Sequence, residues 1–221
     1  MGSPSPTTEV SLFNDSTLSD VKIRQIYKGN AKEYFAHKAI LCAQSKWFMR
    51  AFTGQFKEAT ADVIEMNDDD PDSFELMLRF FYTPGDKLGP ICELSGGTKD
   101  APSAVDIQEY LLDPLELYAL ADKYDAPALC TNVTRTLSKN LLKAWLSGPQ
   151  LSSIIRKHYD TCITVGNSMS GCITAHIINR YMSWLATDEE ASILLREYPT
   201  FSVDMILSLR KNSKIVLPVP A

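Results

Sequence analysis

The stretch Phe35–Phe56 constrains this chain more than any other. It leaves an extended segment at Phe35, turns at Ala36-His37-Lys38 and becomes helical. Ile40, Leu41, Cys42 and Ala43 make one compact apolar turn, and Gln44-Ser45 interrupts it. Trp47, Phe48, Ala51 and Phe52 then recur at spacings of one, three and four, which predicts an amphipathic second helix. Gly54 stops that helix. Two short helices joined by a polar break, with this much aromatic surface, form a hub on which other elements must pack.

The elements around the hub follow from period and punctuation. Val21, Ile23 and Gln25 alternate with Lys22, Arg24 and Ile26, a strand with one buried face. Lys28-Gly29-Asn30 signals a hairpin, and Glu33–Ala36 is the return strand. Val63–Met66 reads as a third short strand. Asn67–Asp72, NDDDPD, lacks the glycine bend and later glutamate of a calcium loop. It reads instead as a helix start, with Asp70 as cap, Pro71 at the first position and Asp72 at the positive end. Phe74, Met77, Leu78 and Phe81 supply its buried stripe. Residues 86–110 have no regular period and read as a loop insertion. Asp113-Pro114-Leu115-Glu116 repeats the cap logic, with Leu117, Leu120, Ala121 and Tyr124 facing inward. Val133, Leu137, Leu141, Ala144 and Trp145 form a further helical stripe, broken at Gly148-Pro149. Helices are predicted again over 151–162, 172–185, 188–198 and 203–209. Residues 1–9 are Pro- and Ser-rich and are expected to be disordered, and 216–221 to be a flexible terminus.

Composition narrows the function classes. The net charge of -5 argues against a nucleic-acid or acidic-membrane surface. No apolar run approaches the roughly 18 residues of a membrane span. Met1–Val10 has no basic start and no apolar core, so no secretory leader is expected. The five cysteines, Cys42, Cys92, Cys130, Cys162 and Cys172, have no framework spacing and read as reduced thiols of a cytoplasmic or nuclear protein.

Several stretches together carry a resemblance: Ser19-Asp20-Val21 before a strand, the run Phe35-Ala36-His37-Lys38-Ala39-Ile40-Leu41, Ser45 with its aromatic pair, and Leu117–Tyr124, LYALADKY. In that order they resemble the BTB/POZ domain, a protein-interaction fold. The resemblance spans residues 10–130 and implies an α+β fold, a small mixed sheet capped by a cluster of helices. Residues 131–215 resemble the all-helical C-terminal extension of fungal proteins of this type. It implies an adaptor or scaffold with no chemistry and no cofactor of its own, pairing as a homodimer. Partners would be a second copy and a cullin scaffold, as substrate adaptor of a cullin-RING ubiquitin ligase. A transcriptional or signalling regulator that dimerises without a cullin is the alternative.

Site residues carry over position by position. Leu12, Phe13, Ile40 and Trp47 match the dimer interface of such domains; the same residue types also fill cores. Asp20 and Lys38 match a charged pocket of the zinc-finger branch, and equally fit a buried ion pair. Cullin-binding members carry a hydrophobic-x-Glu motif before the Ala-Asp-Lys-Tyr helix. Asp113-Pro114-Leu115 does not fit it, whereas Ile107-Gln108-Glu109 does, six residues early. The surface implied is Tyr82, Ile107, Glu109, Leu115 and Tyr124. His37 has no nucleophile beside it, and Cys42 sits on an apolar face, so no hydrolase is read. His158, Cys162, Cys172 and His176 have i, i+4 pairings able to chelate zinc but lack a short Cys-x2-Cys knuckle; they read as ordinary helix residues, with no metal.

Overall fold

The computed structural model describes residues 11–83 and 102–211. The expectations for residues 1–9, 86–101 and 216–221 lie outside them. The chain divides into two compact units, Met1–Leu88 with Tyr124–Ala126, and Gly89–Lys123 with Pro127–Ala221.

The first unit is built on β1 (Val21–Tyr27), β2 (Asn30–Ala36) and β3 (Val63–Asn67), in the order β2-β1-β3. β1 is antiparallel to β2 and parallel to β3, with Ile23 opposite both Tyr34 and Ile64. The alternation sets the burial: Val21, Ile23 and Gln25 face the core. Gln25 is the polar member of that face, and its amide donates to the Asp69 carbonyl at 2.7 Å. Lys28 and Gly29 both have positive φ, the two-residue turn whose twist matches a hairpin. The hub appears as α1 (Lys38–Gln44) and α2 (Lys46–Thr53). Ser45 closes α1 and caps α2, accepting from the Phe48 N–H and donating to the Tyr124 carbonyl. Gly54 ends α2 for lack of room rather than for a left-handed backbone. A Cβ there would lie 2.6 Å from the Arg50 carbonyl and 2.8 Å from the Phe56 ring. α3 (Pro71–Tyr82) starts where the sequence places it, with the Asp70 carboxylate accepting from the Ser73 N–H at 2.9 Å.

The second unit is helical throughout its described residues. α4 (Ala104–Ile107) passes through a π-helical turn (Gln108–Leu112) into α5 (Asp113–Lys123). α6 (Pro127–Lys143), α7 (Gly148–Tyr159), α8 (Ser168–Arg180), α9 (Met182–Thr187), α10 (Glu189–Glu197) and α11 (Pro199–Lys211) follow. The irregular insertion does not run through residue 110, because Ser103 and Asp106 form a capping box and helix starts at Ala104. Asp113 is not a cap either; the chain is already helical on both sides of it. Pro114 therefore lies inside a helical run, where it has no N–H to offer the Tyr110 carbonyl four residues back. The π turn accommodates this, and the fully buried Asn140 on α6 donates its amide to that carbonyl at 3.0 Å. Glu116, read as a capping-box member, instead pairs with Lys157 of α7. Trp145 also departs from its predicted stripe. It lies beyond the end of α6, exposed, with the Arg180 guanidinium 4.2 Å from its ring centre.

Candidate interaction surface

The hub presents its aromatic side chains on two faces. Inward, Phe48 is fully buried and stacks on Tyr124 with ring centres 5.7 Å apart, and Phe81 meets it edge-on at 6.4 Å. The Tyr124 hydroxyl donates to the buried Asp69 carboxylate, and burial pushes its pKa up. Outward, Ile40 and Trp47 are half-buried; Met49, on another side of α2 from Trp47, is 43% exposed, and Phe56, beyond the end of α2, 61%. Trp47 lies edge-on to Tyr124 at 5.3 Å, which fixes its ring without covering it. Leu12 is half-buried too. Phe13 packs between Tyr34 and Tyr82, and Arg79 lies 4.4 Å over its ring.

His37 sets the entry into α1. Its backbone N–H donates to the Tyr82 hydroxyl at 2.9 Å, and that hydroxyl lies 3.1 Å from Nδ1. Nε2 lies 2.7 Å from the Thr17 carbonyl and must carry the proton, since a carbonyl only accepts. Nδ1 then accepts from Tyr82, whose pKa burial pushes up to about 12. Both ring nitrogens are spent on structure, leaving none to act as a base. Burial also raises the Cys42 thiol, the wrong direction for a nucleophile.

Asp20 and Lys38 do not form a buried ion pair. Asp20 is exposed, and its carboxylate accepts from the Lys38 backbone N–H at 2.7 Å, satisfying a donor of the first α1 turn. The Lys38 ammonium turns away to the Ala59 carbonyl at 3.2 Å and lies over the Phe52 ring. Asp20 instead borders an open cleft of about 410 Å³ with Val21, Phe35 and Val63. Beside it Leu18 is 83% exposed with φ of 61°, a conformation leucine rarely takes. Sequence reasoning missed Leu18, Phe35 and Val63 as surface. Their types signal core, but Phe35 and Val63 alternate with buried Tyr34, Ala36 and Ile64, so the pleat turns them to the sheet's outer face.

The surface inferred for a cullin is divided between the two units. Tyr82 and Tyr124 belong to the first, and Ile107, Glu109 and Leu115 to the second. Ile107, Leu115 and Tyr124 are buried; Glu109 is exposed and Tyr82 half-buried. In the helical unit His158 and His176 are buried and neutral, each pushed down to about 4 by desolvation. His158 Nε2 lies 3.0 Å from the Ser170 hydroxyl, and burial raises the Cys162 and Cys172 thiols. No group of three or more His, Cys, Asp or Glu side chains among the described residues is placed to hold a metal ion. Among the same residues, no helix is long and apolar enough to cross a membrane.

Residues 10–88 match the family model for the BTB/POZ domain. Among similar proteins, Armadillo BTB Arabidopsis protein 1 from Arabidopsis thaliana is 33% identical over 145 residues, 57% of this chain and 18% of its own length. BTB/POZ and MATH domain-containing protein 3 from the same plant is 39% identical over 109 residues, 49% of this chain and 26% of its own. Kelch-like ECH-associated protein 1A from Danio rerio is 31% identical over 83 residues, 38% of this chain and 14% of its own. The matched region is thus a small fraction of each relative.

Proposed function

Since residues 10–88 of this chain are a BTB/POZ domain, a protein-interaction module, we propose that it acts as an adaptor that self-associates through its hub. The observation that carries the reading is the outward face of α1 and α2. Ile40 on α1 and Trp47 on α2 are half-covered there, while Met49, on another side of α2, and Phe56, beyond its end, are exposed. Aliphatic and aromatic side chains left partly open on rigid helices, as Ile40 and Trp47 are, belong to the residue types that dominate interfaces. Leu12 and Phe13 extend that interface, and the module takes in residues 10–130 with a helical extension over 131–215.

The adaptor's second partner is proposed as a cullin N-terminal domain, with Tyr82 of the first unit and Glu109 of the second each taken as a separate candidate contact. A regulator that dimerises without a cullin is the second reading. The burial of Ile107, Leu115 and Tyr124 favours it, because three of the five residues inferred for cullin contact face inward. Calorimetric titration with a cullin N-terminal domain separates the two. Heat of binding lost in Tyr82→Ala and Glu109→Ala supports the ligase adaptor. No heat at any concentration supports the regulator.

A further inference from the structure

Helix α11 has two apolar faces, and only one is covered. Phe201, Asp204, Met205 and Ser208 face inward and are buried. On the outer side Val203, Ile206 and Leu207 are 43%, 51% and 37% exposed. Positions 203, 206, 207 and 210 are spaced three and four apart, so they form one stripe ending at Arg210. The solvent-facing side of a helix is normally polar. Leu207 and Arg210 also line a cleft of about 630 Å³ between α11 and the small residues Gly171 and Ala175 of α8. Small residues on that wall leave room for another backbone to approach closely.

The exposed charges at the cleft's rim are basic. Arg210 and Lys211 stand at its rim, and neither is paired with a carboxylate among the described residues. The one acid in its lining, Asp204, is buried rather than at the rim. It is 2% exposed, accepting from the Gly166 N–H at 2.7 Å and from the Tyr159 hydroxyl at 3.0 Å. Those bonds also pin the loop before α8, where Ile163 and Val165 are exposed. We propose that the outer stripe of α11, from Val203 to Arg210 along the lip of the α8–α11 cleft, docks an acidic amphipathic peptide segment of a partner protein. Its apolar side chains would cover Val203, Ile206 and Leu207, and its carboxylates would reach Arg210 and Lys211. The chain's own residues 212–221 supply apolar Ile215, Val216 and Leu217, but their one charged side chain, Lys214, is basic like the rim. The site lies wholly in the helical unit, so it stands whether or not the hub dimerises or meets a cullin.

The test uses the full chain and two fluorescein-labelled 14-residue peptides, one amphipathic in Leu and Glu, the other with Lys replacing Glu, read by anisotropy. The Leu/Glu peptide is expected to bind about tenfold more tightly than the Leu/Lys peptide. Ile206→Ser with Leu207→Ser should weaken it by more than about tenfold, and Arg210→Glu with Lys211→Glu by about fivefold. All four positions are exposed, so the melting temperature should stay unchanged. Equal binding of the two peptides, or binding indifferent to these substitutions, overturns the proposal, as does no binding. If the Leu/Glu peptide binds only after Val216→Ser with Leu217→Ser, the chain's own tail is the occupant and the external partner is refuted. If light scattering shows Ile206→Ser splitting a dimer, the face is a self-contact and the partner is again refuted.

Discussion

At the centre of the first unit Phe48 stacks on Tyr124 and meets Phe81 edge-on, and the buried carboxylate of Asp69 accepts from the Tyr124 hydroxyl. The centre of the helical unit is wetter in chemistry. His158, Ser170, Thr174, Asp204 and Ser208 are all buried there, joined by His158–Ser170, Thr174–Ser208 and Tyr159–Asp204 bonds. An aromatic core tolerates no loss of volume. A polar core tolerates no loss of a partner and responds to pH. The two units should therefore fail in different ways.

The largest contrast is expected in acid. His158 and His176 titrate near 4 when folded, against an ordinary value near 6.5. Between those values the unfolded chain binds more protons, so stability rises with pH across the window and is complete above it. Each histidine should remove on the order of 3 kcal/mol by pH 4. Thermal melts from pH 7 to pH 4 should show this loss, and His158→Gln should shrink it. A loss that His158→Gln leaves unaltered would place the acid sensitivity elsewhere.

Phe48→Ala comes next, at about 3–5 kcal/mol in urea denaturation, from lost burial and the cavity left behind. A cost below about 1 kcal/mol would mean that the hub collapses around the change, and the contrast between the cores would weaken. Asp204→Ala leaves the Tyr159 hydroxyl and the Gly166 N–H without their acceptor, at roughly 1–3 kcal/mol for each group. Asn140→Ala removes one donor and should cost roughly 1–3 kcal/mol. Asn140→Asp should not rescue it, since a carboxylate has no N–H for the Tyr110 carbonyl. If Asp does rescue, the bond across the π turn is not what holds Asn140 in place.

Local signals carried most of the architecture. The alternation in β1, the Lys28-Gly29 turn, the Asp70-Pro71 helix start and the stripe of α3 each rest on residues within a few positions of one another. What escaped depends on partners far along the chain. Pro114 reads as a helix start because nothing near it reveals that Asn140 will serve the Tyr110 carbonyl. Asp20 and Lys38 read as an ion pair because their types match. The fold lets Asp20 serve a backbone donor of α1 instead. Of the inferred surface, Ile40 and Trp47 stand partly open and Tyr124 does not. An apolar residue carries no mark in the sequence that separates core from interface.

The central claim is association through the outward face of α1 and α2, and the mass of the purified chain by light scattering tests it most directly. The account predicts a dimer of the 24.7 kDa chain that Ile40→Lys converts to a folded monomer, since Ile40 is only half-buried. A monomer at every concentration, or a dimer indifferent to Ile40→Lys and Trp47→Glu, would contradict it.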